Sequence, residues 1–444
     1  MKFSPLQFGP LHAVRGEILH FLADPAAHGA RAVAHFPDGL LVIRDGRVAE
    51  CGPAAELLPK LSAALPVTDY RGKLILPGFV DTHIHYAQTD IIASYGEQLL
   101  AWLEKYTFPT ERRFADPEHA AAVAEFFCDE LLKNGTTTAL AFATVHPASV
   151  DALFGAARER RMRLIAGKVL MDRNCPDFLR DTAETGYMES KALIERWHGC
   201  ERLLYAVTPR FAPTSTPAQM QLAGQLFAEH PGVYLQSHVA ENRGEIEWVA
   251  QLYPKARSYL DVYDGFGQLG ARAVYAHCIW LDDEDRRRMA DTGTAMSFCP
   301  TSNLFLGSGL FDPGRARELG VRVGIGTDVG AGTSFSMLQT LGEAYKVLQL
   351  GGQKLSAESA FHLATLGGAH SLDLDGLIGN FLPGKEADFV VLDLQATPLL
   401  ARRMASCETL SERLFVLMML GDDRCVAATH VLGAPAYRAG PAAR

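Results

Sequence analysis

The run Asp81-Thr82-His83-Ile84-His85 sets two imidazoles two residues apart. Residues i and i+2 of an extended strand point to the same side, so His83 and His85 could face one metal ion together. A lone HxH is a weak signal, because two polar side chains in a loop give the same pattern. Three further segments add weight: Gln236-Ser237-His238, Ala276-His277 and Gly326-Thr327-Asp328 each close a short β-prone run. Neutral imidazoles with one carboxylate suit zinc, and they also suit iron. Glu241 follows His238 by three residues, and a helical turn there would put both on one face. A carboxylate beside a metal, but not on it, can move a proton between water and a substrate. The bland alternative is a solvated glutamate in a charged loop, since Asn242, Arg243, Glu245 and Glu247 follow.

Such residues work only if the fold gathers them. The middle of the chain alternates strands with amphipathic helical stretches such as His119–Leu132 and Pro217–Glu229. Eight strands are expected, at 75–81, 136–144, 163–171, 203–210, 233–238, 273–278, 294–300 and 322–328. Alternating β and α units favour a parallel sheet, and eight of them match an α/β fold of the (β/α)8 TIM-barrel type. An open α/β sheet is the alternative topology. In a barrel, catalytic groups sit at the C-terminal strand ends, where His83, His85, His238, His277 and Asp328 all fall. Both ends of the chain read as β structure. Gly39–Ile43 meets Arg47–Ala49 across Arg44-Asp45-Gly46, and Asp-Gly between apolar runs signals a hairpin. Ala387–Leu392 is a second β-rich run, with a short turn at Leu432-Gly433-Ala434 further on.

Other features exclude function classes. Gly324-Ile325-Gly326-Thr327-Asp328-Val329-Gly330 does not have dinucleotide-loop spacing and ends a late strand. Its glycines are read as letting backbone pass close to the metal site. Lys168 is read as structural or as a pocket wall. The 444 residues carry 48% hydrophobic and 21% charged residues, ordinary for a folded enzyme. A net charge of -9 disfavours nucleic acid and anionic lipid as partners. No apolar run approaches the ~20 residues needed to cross a bilayer, and the N-terminus lacks a leader's apolar core. The eight cysteines form no CxxC pair and read as buried thiols, so a cytoplasmic protein is expected. A deaminase of bases in nucleic acid would need H-x-E and P-C-x-x-C, and neither occurs.

The set HxH, His, His, Asp, with the flanks Leu76-Pro77-Gly78-Phe79-Val80-Asp81, Ala364–Ala369 and Leu382–Asp388, resembles the amidohydrolase superfamily from about Asp38 onward. Within it, Asp81–Gln88, Trp102–Glu111, Thr208–Phe211, Ser237–Asn242 and Cys299–Leu304 are similar to the guanine deaminases. The resemblance implies a barrel over 76–379 and a small β-sandwich from 1–75 and 380–444. It implies one zinc per chain on His83, His85, His238 and Asp328, with iron as the alternative. His277 would stand beside the attacking hydroxide, and Gln88, Arg210, Phe211 and Glu241 would hold the purine, alongside His85, His238 and Asp328. The implied reaction takes guanine to xanthine and ammonia in a homodimer, with Glu241, His277 and Asp328 catalytic. The terminal segment Val431–Pro435 is an irregular version of the family's last strand. The metal residues alone do not separate this from hydrolysis of cytosine, adenosine derivatives, triazines or a cyclic amide. Arg210, Phe211 and Gln88 tilt towards guanine. A non-catalytic scaffold is the reading from another class, opposed by the full ligand set.

Overall fold

The structure, a computed structural model, describes residues 11–440. Residues 1–10, on which most of the leader-peptide reading falls, and 441–444 lie outside the described residues. The chain opens with β1 (His12–Phe21), β2 (Val33–Arg44), β3 (Arg47–Pro53) and β4 (Val67–Pro77). Asp45 and Gly46 take φ of 52° and 74°, the positive values a tight hairpin turn requires, and β2 pairs with β3 across them as expected. Then come β5 (Phe79–His85), β6 (Thr136–Phe142), β7 (Arg163–Gly167), β8 (Val169–Leu170), β9 (Leu203–Pro209), β10 (Tyr234–Val239), β11 (Ala273–His277), β12 (Ala295–Phe298) and β13 (Arg322–Ile325). The last strands are β14 (Phe389–Leu392), β15 (Val426–Val431) and β16 (Ala434–Arg438).

Strands β5, β6, β7, β9, β10, β11, β12 and β13 pair in parallel in that order, with β8 beside β9. They make a nearly closed eight-stranded barrel and exclude the open sheet. At its seam Asp328 N donates to His83 O, and His85 N to Val329 O, both at 2.9 Å. Glycine makes this approach feasible. A Cβ on Gly324 would stand 2.4 Å from Thr82 Cγ2, and one on Gly326 would stand 2.8 Å from His83 O. The expected helices flank the strands. Pro117–Lys133 starts where the Asp116 side chain accepts from Glu118 N, and it buries Ala120, Val123, Ala124, Phe127, Cys128, Leu131 and Leu132 on one face. Pro217–Glu229 starts where Thr216 accepts from Gln219 N.

Several expected strand limits move, two of them beside the candidate site. Ile75–Pro77 belong to β4, where they pair with β14, so the first barrel strand begins at Phe79 and contains both histidines. The last strand stops at Ile325, before Gly326-Thr327-Asp328.

The N- and C-terminal segments together form one seven-stranded sheet, ordered β16-β15-β14-β4-β1-β2-β3. Register shifts interrupt β1 between Gly16 and Ile18, and bulges of this kind bend and twist a sheet. Four buried charges join this sheet to the barrel. Arg163 Nη2 reaches Glu386 Oε1 at 2.6 Å, Arg202 Nη2 reaches Glu386 Oε2 at 2.9 Å, and Arg202 also bonds Asp388. All eight cysteines are free, and among the described residues no helix is long and apolar enough to cross a membrane.

Candidate active site

Each expected residue reaches the C-terminal mouth of the barrel by its own route. His83 and His85 alternate along β5 and share a side, with ring centroids 5.0 Å apart. His238 lies next to the end of β10, and His277 ends β11. Ala240, His277, Cys278 and Asp328 have φ of 50°, 69°, 53° and 51°. This left-handed region is uncommon for residues other than glycine, and such strain gathers at functional sites. Ala240 also corrects one expectation. The chain kinks there instead of turning helically, and the next helix starts only at Arg243, where Asn242 and Glu245 form a capping box. Glu241 therefore enters the site from a kinked loop, with its backbone N–H held by Glu245 Oε2 at 3.0 Å.

The distances suit one cation. His83 Nε2 is 3.2 Å from Asp328 Oδ1, His85 Nε2 is 3.5 Å from the same oxygen, and His85 Nε2 is 3.2 Å from His238 Nε2. Donors about 2.0–2.2 Å from a shared zinc stand roughly 3–3.5 Å from one another. His83 Nε2 is buried without a hydrogen-bond partner. The Nδ1 of His238 is 2.6 Å from the Arg210 carbonyl, which fixes that nitrogen as the donor and leaves Nε2 a free lone pair. Burial drives the pKa of His83 down, and those of His85 and His238 well down, the direction that favours the neutral imidazole a metal ligand must be. Burial opposes the ionisation of Asp328, but His83, His277 and His85 outweigh it and hold the carboxylate far below its usual range. The residues present fit a divalent metal.

Glu241 and His277 flank these donors. Glu241 Oε2 is 3.3 Å from His277 Nε2, and Glu241 Oε1 accepts from Ser308 Oγ at 2.9 Å. Burial raises the Glu241 pKa from its ordinary value. Burial works against the charged form of His277, yet the Glu241 and Asp328 carboxylates outweigh it and raise its pKa. His277 Nδ1 stands 2.8 Å from Asn303 Oδ1, which orients the ring.

A cavity opens over this centre. Its lining brings Gln88, Arg210 and Phe211 together with His85, His238, Glu241, His277 and Asp328; His83 is not part of that lining. Leu99, Trp102, Leu103 and Leu306 supply apolar walls. Lys168 takes no part in this lining; it is fully buried and bonds Asp181 at 2.6 Å.

The residue-by-residue reading missed Glu111, Asn303 and Ser308. Glu111 stands 99 positions before Arg210 and bonds it inside the protein. No local spacing marks such a pair. The only available signal was that Trp102–Glu111 and Cys299–Leu304 belong to the segments carrying the family resemblance.

The model of the Amidohydrolase family matches residues 74–434. The guanine deaminase of Escherichia coli strain K12 is 56% identical over 96% of this chain and 98% of its own length. A solved structure of the E. coli guanine deaminase superposes with a TM-score of 0.95 at 55% identity, covering 97% of this chain and all of the other. The guanine deaminase of C. acetobutylicum, solved with guanine bound in its active site, superposes with a TM-score of 0.86 at 29% identity, covering 96% and 99%.

Proposed function

The chain belongs to the amidohydrolase family, and from that premise we propose that it catalyses the hydrolytic deamination of guanine at C2, giving xanthine and ammonia. The observation that carries this reading is one cavity in which a metal donor set meets Arg210, Gln88 and Phe211. The 56% identity to a guanine deaminase over nearly the whole chain supports the same substrate.

His83, His85, His238 and Asp328 would hold one zinc ion, and iron suits the same donors. When bound, such an ion lowers the pKa of water towards 7 and so supplies a nucleophile near neutral pH. Glu241 would accept the proton that the attacking water releases and give it to N3 of guanine as the C2–O bond forms, which keeps negative charge off the ring. His277 and Asp328 orient the attack on C2 and help pass a proton to the amine, which leaves as ammonia. Arg210 donates to O6, Gln88 holds the purine edge and Phe211 offers an apolar surface to the ring, while Leu99, Trp102 and Leu103 exclude water.

A guanidinium only donates, so it suits the C6 carbonyl of guanine and leaves the C6 amine of adenine unpaired. Sites built this way can reject the mismatched analogue by roughly 10⁴-fold. Steady-state ammonia release from guanine, adenine and cytosine tests the proposal. Guanine should be turned over and adenine should not. Comparable kcat/KM for the two purines, or no turnover of guanine, overturns it. A cytoplasmic location, expected from the cysteine pattern, and a homodimer, implied by the family resemblance, belong to the same reading; light scattering on the purified protein tests the dimer.

A further inference from the structure

One fully buried carboxylate near the cavity has no part in metal binding or proton transfer. Glu111 has no exposed surface and ends the short helix Phe108–Glu111. Its Oε1 and Oε2 accept from Arg210 Nη1 at 2.9 and 2.8 Å. Among the described residues, both side-chain hydrogen bonds of Arg210 leave from that one nitrogen, so Nε and Nη2 remain for a ligand in the cavity that Arg210 lines. The Phe108 ring lies 5.5 Å from the guanidinium carbon, and Gln88 lies against the same carboxylate.

We propose that Glu111 is the positioning residue that sets purine specificity, by holding the Arg210 guanidinium in the direction that reads a C6 carbonyl. The proposal rests on guanine as substrate and on Arg210 as the reader of O6. A buried arginine without a counter-charge pays the full cost of desolvation, and it relieves that cost by turning to whatever acceptor it can reach. The Glu111 carboxylate supplies the counter-charge and ties down one end of a planar group. With Phe108 beside that plane, the remaining N–H groups keep one heading. Glu111 does not line the cavity, and its effect passes through the side chains it touches: Arg210, to which it makes both carboxylate bonds, and Gln88 beside it.

The test uses two purines that lack an amine at C2 and so cannot be deaminated there: hypoxanthine, which carries O6, and unsubstituted purine, which does not. Their inhibition constants against guanine are measured in the wild-type protein and in Glu111→Gln, with bound metal quantified in each. The expected result is a rise of ~10-fold or more for hypoxanthine, the worth of a lost hydrogen bond to a charged group. Purine should stay within about 2-fold by the same argument, since it has no O6 to lose. KM for guanine should rise more than kcat falls, with metal content unchanged. An equal rise for both inhibitors, no rise for hypoxanthine, or a fall in kcat at constant KM overturns the proposal. If Glu111→Gln does not fold, Glu111→Asp keeps the charge on a shorter arm and should shift the hypoxanthine-to-purine ratio in the same direction. An unmoved ratio there also overturns it. A wild-type protein inactive on guanine overturns the substrate reading instead; an active one with an unmoved ratio overturns only the role of Glu111.

Discussion

Glu241 and the imidazoles make separable predictions at the scale of single side chains. Glu241 bonds Ser308 and faces His277, and it lies outside the His83–Asp328–His85–His238 chain of short donor distances. Glu241→Gln should therefore keep the metal and the fold while turnover falls by at least ~10²-fold, the usual worth of a placed acid–base group. Metal analysis beside kinetics checks this, and loss of metal from that variant would contradict the role. His83→Ala or His238→Ala removes a donor outright. Both variants should lose metal and activity together, and the wild type should bind about one ion per chain.

Between elements, the seam of the barrel decides whether the donors meet. Asp81 is fully buried in β5; its Oδ1 accepts from His83 N and Thr327 N at 3.1 Å, and its Oδ2 from Thr327 Oγ1 at 2.5 Å. One carboxylate thus ties the strand carrying two histidines to the loop carrying Asp328. Asp81→Ala should loosen metal binding by ~10-fold or more although Asp81 is no donor, as loss of groups that orient metal ligands does. A competition titration with a chelator reads this, and unchanged affinity would refute it. On the terminal sheet, Glu17 of β1 bonds His35 of β2 at 2.8 Å and Arg413 at 2.6 and 2.8 Å. Burial opposes its charge, but these partners outweigh burial and lower its pKa to about 2. A depressed folded-state pKa adds stability that is fully present above the unfolded value near 4.5 and lost as pH falls towards 2. Glu17→Gln should remove about 2 kcal/mol of that acid-sensitive stability. Its stability should then fall less between pH 5 and 3 than the wild type's, as urea melts at each pH would show.

For the whole molecule, the terminal sheet and the barrel share buried charges. Glu386 and Asp388, just before β14, meet Arg163 of β7 and Arg202 ahead of β9. Removing one partner of a buried pair leaves its mate charged and unpaired, at a cost of roughly 3–5 kcal/mol. Arg202→Ala should lower the thermal midpoint by several degrees, and one shared transition is expected for sheet and barrel because each buries the other's charges. Two resolved calorimetric transitions in the wild type would contradict that coupling.

The order of the barrel strands, the five side chains that meet at the barrel mouth and the substrate family were legible in the amino-acid sequence. Strand periodicity places His83 and His85 on one side without reference to any other part of the chain, and Asp-Gly between apolar runs suffices for the β2–β3 hairpin. The sequence also held the Trp102–Glu111 run, but only as a likeness and not as a role. Tertiary structure decided everything that depends on distance between remote segments. It brought Glu111 to Arg210 across 99 positions, and it gave Ile75–Pro77 to the terminal sheet because β14 arrives there to pair with them. It also delivered Glu241 through a left-handed kink at Ala240 instead of a helical turn, because the Asn242–Glu245 capping box starts the next helix two residues later. Periodicity records only what neighbours along the chain do. An ion pair between segments far apart, or a kink held by the next helix's cap, acquires its energy only once the barrel has closed and excluded water from it.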